Sequence, residues 1–146
     1  MREATTAWET RGAWAGVARA GAFGREGAPG VVARLQDGFG LATLIVAPGG
    51  EAALSHALRA RLGLALPEGA RRVADAEHAL IWSGPGQWLL RAARREGFAQ
   101  TLAALAAVAA VSDQSCAKAA LRLSGPNVRD LLGRGVMIDL DPRVFA

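Results

Sequence analysis

The chain has 146 residues and a mass of 15.1 kDa, enough for one domain with a core of its own. Its hydrophobic share of 51% and mean hydropathy of +0.19 exclude wholesale disorder. Net charge is +4, and the pI near 10.9 overstates it, because tyrosine is absent and Lys118 is the sole lysine.

The arginines are spread along the sequence, and the longest runs are the pairs Arg71-Arg72 and Arg94-Arg95. Phosphate-backbone binding needs cations clustered on one face, so no nucleic-acid partner is expected. One cysteine and two histidines make neither an internal disulfide nor a usual zinc site, so no metal is expected. Arg2 and Glu3 are not followed by an apolar signal core. The longest uncharged apolar run, Phe98 to Val111, is shorter than the ~18 residues a membrane span needs. A cytoplasmic protein with no membrane partner is expected.

Glycines at 12, 16, 21, 24, 27 and 30 interrupt helical periodicity, and no strand alternation is visible there. Residues 1–30 therefore read as a flexible Gly/Ala-rich arm, and 31–146 as a single α+β domain. Trp8 and Trp14 lie in the arm. They are candidates for anchoring a partner, since Trp is enriched at interface anchors, or for folding back onto the domain.

Val31, Ala33 and Leu35 alternate with Val32, Arg34 and Gln36, which predicts a half-exposed strand. Asp37-Gly38 marks a turn, and Leu41 to Ala47 reads as a buried strand ended by Pro48-Gly49-Gly50. From Glu51 to Leu62 the spacing of Leu54, Leu58 and Leu62 predicts an amphipathic helix. Glu51 at its start and Arg59 and Arg61 at its end suit the helix dipole. Gly50 precedes this helix and could cradle a phosphate, although a turn explains it as well.

Ala79 to Ser83, Gly84-Pro85-Gly86 and Gln87 to Arg91 form the clearest hairpin signal. Phe98, Leu102, Leu105 and Ala109 mark a second helix. Ala110 to Ser112 and Ala119 to Leu123 read as strands. Ser124 is placed to cap a third helix, with Pro126 in its first turn and Val128, Leu131 and Leu132 on its buried face. Strand–helix–hairpin–helix–strand is the split βαβ order of ferredoxin-like α+β folds.

No GxGxxG occurs, and a phosphate-binding GxxxxGK[ST] is impossible with Lys118 the only lysine. His56 and His78 read as surface histidines. The densest polar cluster is Ser112-Asp113-Gln114-Ser115-Cys116. Either Asp113, Ser115 and Cys116 serve a binding or nucleophilic role, which requires a base within reach, or Asp113 and Ser115 bond to a turn's own amides. No catalytic set is complete in the sequence.

The stretch Asp113 to Ala117, followed by Leu121-Arg122-Leu123-Ser124-Gly125-Pro126-Asn127, resembles the D-x-S-H-x-G and S-G-P segments of the glycine-cleavage aminomethyltransferase superfamily. Within it, Leu80 to Leu90, Val111 to Ser115 and Ile138 to Phe145 are similar to the sarcosine oxidase gamma subunit family. Cys116 and Ala117 stand where the superfamily pattern has His and Gly, so no role of that histidine transfers. The resemblance implies the aminomethyltransferase, or folate-binding-like, fold. Its last strands would lie beyond Ala146. It also implies a non-catalytic assembly subunit of a heterotetrameric sarcosine oxidase, which oxidatively demethylates sarcosine to glycine with tetrahydrofolate and oxygen. By that resemblance the alpha, beta and delta subunits are the partners and carry FAD, FMN, NAD and tetrahydrofolate, and this chain binds none. The alternative from the residues alone is a stand-alone folate-binding or aminomethyltransferase-like protein using Asp113, Ser115 and Cys116.

Overall fold

The computed structural model describes residues 12–141 and Arg143. The chain divides into two compact units: the continuous stretch Gly38–Lys118, and the two chain ends up to Asp37 and from Ala119 onward.

The continuous unit holds β3 (Gly40–Ile45), α1 (Glu51–Leu62), β4 (Arg72–Ala74), β5 (His78–Gly84), β6 (Gln87–Ala92), α2 (Phe98–Leu105) and β7 (Ala110–Asp113). Its sheet runs β4-β5-β6-β3-β7 and every neighbouring pair is antiparallel. β6 therefore sits between β3 and β5, which are joined through α1 and the short β4, and β3 sits between β6 and β7, which α2 connects. Two βαβ crossovers are each split by a strand, as the sequence order predicts.

Strand alternation sets the buried face. In β6, Trp88, Leu90 and Ala92 are buried while Gln87, Leu89 and Arg91 are half-buried. Their cross-strand partners on the same face are Leu44, Ala42 and Gly40 in β3 and Trp82, Leu80 and His78 in β5. Leu54 and Leu58 of α1 and Phe98, Leu102 and Leu105 of α2 complete one core. The Trp88 indole N–H is buried there and donates to the Pro67 carbonyl at 3.1 Å, so its polar atom carries no desolvation penalty. The helix α1 ends at Gly63 (φ +69°), whose amide donates to Arg59 O at 3.0 Å; a left-handed cap of this kind favours glycine.

The second unit holds β1 (Gly21–Arg25), β2 (Ala28–Gln36), β8 (Ala120–Ser124) and the six-residue helix α3 (Val128–Gly133). Its sheet order is β1-β2-β8, again antiparallel. Of its described residues, only Val31 and Ala33 are buried apolar side chains.

Four expectations from the sequence change here. Residues 21–30, read as arm, carry β1 and the start of β2. β1 is invisible to periodicity because its five residues are all exposed and two are glycine; backbone pairing to β2 holds it. The three-residue β4 was likewise not foreseen. The third helix begins later than expected: Ser124 closes β8, Asn127 is the N-cap, and Pro126 precedes the helix. None of Val128, Leu131 and Leu132 is buried, and Leu131 is 47% exposed. One and a half turns of helix beside a three-stranded sheet cannot enclose an apolar face.

Candidate functional site

The polar cluster flagged in the sequence lies where β7 gives way to a turn. β7 pairs with β3 through Ala42–Asp113, and the Gln114 amide extends the ladder to Leu41 O at 2.7 Å. Asp113 Oδ1 then accepts from the Ser115 amide at 2.8 Å and from the Ser115 hydroxyl at 2.6 Å. Ser115 Oγ in turn accepts from the Leu41 amide at 3.0 Å. The Ser115 side chain is thus a clip between the β7 turn and β3. Arg95, just before α2, closes the other side: its Nη2 donates to Ser115 O at 2.5 Å and its Nε to Phe39 O at 3.3 Å.

The electrostatics agree with the geometry. The Ser115 hydroxyl hydrogen bond, then the Ser115 amide, hold the Asp113 carboxyl below the usual carboxylate range, with the Arg95 guanidinium adding to the effect. Ser115 donates its only hydroxyl proton to a carboxylate that is kept ionised, an arrangement that could in principle activate the oxygen. However, Asp113 is a weak base once so stabilised, and the same oxygen already accepts from Leu41. Cys116 is exposed in a shallow cleft of about 410 Å³ shared with Arg95, Phe98, Ala99, Asp113 and Ser115.

Neither histidine joins this cluster. His56 is exposed on α1, and His78 is half-buried at the start of β5, two strands from β3. Among the described residues no group of three or more His, Cys, Asp or Glu side chains could hold a metal ion. No helix among them is long and apolar enough to cross a membrane. Gly50 lies in the turn before α1, its amide donating to Ala47 O at 2.9 Å.

Trp14 is half-buried, and its indole N–H donates to the Ala120 carbonyl at 2.8 Å, tying the start of the described chain to the edge strand β8. Trp8 lies outside the described residues. Sequence reasoning missed Arg95, which looked like half of a solvated Arg94-Arg95 pair; no local pattern says that its guanidinium will reach two carbonyls. It also missed the apolar exposure in the second unit, where Phe23, Leu121, Leu131, Val136, Met137 and Ile138 all remain open. That feature could have been found from the short, unpatterned stretch around Val136-Met137-Ile138.

Split βαβ topology, a small open sheet and a polar cluster satisfied by its own backbone define an α+β protein with a self-contained structural clip. The chain belongs to the sarcosine oxidase, gamma subunit family, whose profile matches residues 46–146. It is also similar to a chain of the heterotetrameric sarcosine oxidase from Corynebacterium sp. U-96 in complex with pyrrole 2-carboxylate. The identity is 29% and the TM-score 0.66, over 80% of this chain and 60% of that one. The sequence thus spans about three-fifths of the chain it matches. No curated protein sequence matches it.

Proposed function

We propose that the chain is a non-catalytic, gamma-type assembly subunit of a heterotetrameric sarcosine oxidase. Such an enzyme oxidatively demethylates sarcosine to glycine, using oxygen and tetrahydrofolate. The alpha, beta and delta subunits are its partners in this reading, and FAD, FMN, NAD and tetrahydrofolate belong to them. The observation that carries the reading is the family match over residues 46–146, joined to the likeness with a chain of a heterotetrameric enzyme of that kind. The finer fold assignment, an aminomethyltransferase-like domain, belongs to the same proposal and draws support from the split βαβ sheet.

Two features of the molecule fit a subunit that assembles and does not catalyse. The hydroxyl of Ser115 is engaged by Asp113 and Leu41, and Cys116 has no histidine beside it. The exposed Phe23, Leu121, Leu131, Met137 and Ile138 are apolar area that association would remove from water.

Co-expression with the three other subunits tests the proposal. A complex of four chains that co-purifies, oxidises sarcosine and loses that stability when this chain is omitted is the expected result. Failure to associate at micromolar concentration overturns it. Saturable tetrahydrofolate binding by the isolated chain would instead favour a stand-alone folate-binding role for Asp113, Ser115 and Cys116.

A further inference from the structure

Arg34 of β2 and Arg122 of β8 are direct cross-strand partners, and both are exposed. Directly opposite residues share one face of the sheet with their Cβ atoms about 4.5–5.5 Å apart, and like charges so placed are destabilising. Alternation puts Ala22, Val32, Gln36, Ala120 and Ser124 on the same face, and none is acidic. The ion pairs among the described residues are Arg94–Glu77 and Arg143–Asp141, so no carboxylate in them offsets the repulsion. Three arginines elsewhere are engaged, Arg95 with two carbonyls, Arg129 with Leu140 O and Arg91 over the Phe39 ring; what sets Arg34 and Arg122 apart is their direct opposition across two strands.

We infer that the Arg34–Arg122 pair is a docking site for an acidic segment of a partner subunit; this rests on the assembly reading above. Two adjacent guanidinium forks match two carboxylates bidentately, a geometry Lys cannot supply. Both arginines are exposed, and their same-face neighbours Ala22, Ala120 and Ser124 are small. Organic small-molecule ligands bind in concave pockets that bury most of their surface, and this is an open sheet face. Nucleic acid needs a longer cationic stripe. A protein surface bearing carboxylates fits both constraints, and its charge would turn an internal repulsion into an attraction on assembly.

The test is the double variant Arg34→Gln/Arg122→Gln in the full chain, alone and co-expressed with the other subunits. Alone, it should unfold at the same or a higher temperature than wild type, because the repulsion is gone. In the assembly, its dissociation constant should rise roughly ten-fold or more at low salt, with a shallower salt dependence than wild type. Arg34→Lys/Arg122→Lys should fall between the two. Unchanged affinity and salt dependence in a wild-type background that assembles would overturn the docking site and leave the assembly reading standing. A wild-type chain that does not assemble removes both. Stabilisation of the isolated wild-type chain by millimolar inorganic phosphate, abolished in the double variant, would reassign the pair to a small anion and overturn the inference.

Discussion

Gly125 meets the backbone of Gly30 so closely that a Cβ on it would lie 2.5 Å from the Gly30 carbonyl oxygen. Its φ of +121° is a conformation that side chains other than hydrogen rarely adopt. The same carbonyl accepts the Asn127 amide at 3.0 Å, so the contact fixes the turn between β8 and α3 against β2. This is a physical reason for glycine in Ser124-Gly125-Pro126.

Gly125→Ala should therefore cost roughly 1–3 kcal/mol in backbone strain, with overpacking adding a comparable amount. Gly27→Ala is the control: φ is +75°, but nothing lies within 4 Å, so only the left-handed penalty of about 1–2 kcal/mol applies. Thermal unfolding of the two purified variants checks the ranking, and equal midpoints would contradict it.

The clip at β7 predicts opposite outcomes at neighbouring positions. Ser115→Ala leaves Asp113 and the Leu41 amide short of a partner and should cost about 1–3 kcal/mol in urea unfolding. Cys116→Ala touches an exposed side chain and should stay within about 0.5 kcal/mol of wild type. A costly Cys116 variant would show that the thiol is more than a neighbour.

Acid should loosen the same clip. The folded-state carboxyl of Asp113 is held below its unfolded value, so its contribution is fully present above about pH 4 and is lost as pH falls through the lower folded value. Asp113→Asn should then show a smaller loss of stability between neutral and acid pH than wild type. Asp75, held low by the His78 and Glu77 amides, and Asp141, held low by Arg143, titrate in both proteins and cancel in the comparison. Parallel stability–pH curves for the two would refute the assignment.

Beside the clipped Leu41, at the same end of β3, Gly40 makes room for an aromatic ring. A Cβ there would sit 2.6 Å from the ring of Phe98, which is buried. Gly40→Ala should cost roughly 1–3 kcal/mol, and pairing it with Phe98→Leu should recover part of that loss beyond additivity. A double-mutant cycle with no coupling would show that the ring moves freely.

Where side chains drive burial, the sequence was readable. Leu54 and Leu58 mark α1, whose observed ends are Glu51 and Leu62 as its spacing predicts, and Phe98, Leu102 and Leu105 mark α2. The β5–β6 hairpin shows itself through its turn residues and flanking apolar runs. What stayed hidden is held by the backbone or by distant partners. β1 has no apolar face and exists because β2 offers a ladder. Leu131 obeys a helical pattern yet finds nothing to cover it. The Asp113–Ser115 turn was legible as local hydrogen bonding, whereas Leu41 and Arg95, far away in sequence, could not be assigned to it.

The unit built from both chain ends imposes an order on synthesis. Gln36 of β2 pairs with Ala120 of β8, so residues 37–119 must emerge from the ribosome before that edge of β2 can be satisfied. At about 5–20 residues per second, the β1–β2 hairpin waits several seconds with one row of amides and carbonyls open. The continuous unit, whose pairings are shorter in range, can close during that interval. A nascent chain of this kind is exposed to strand mispairing in the cell until β8 arrives, which places the hazard in translation and not in the finished fold.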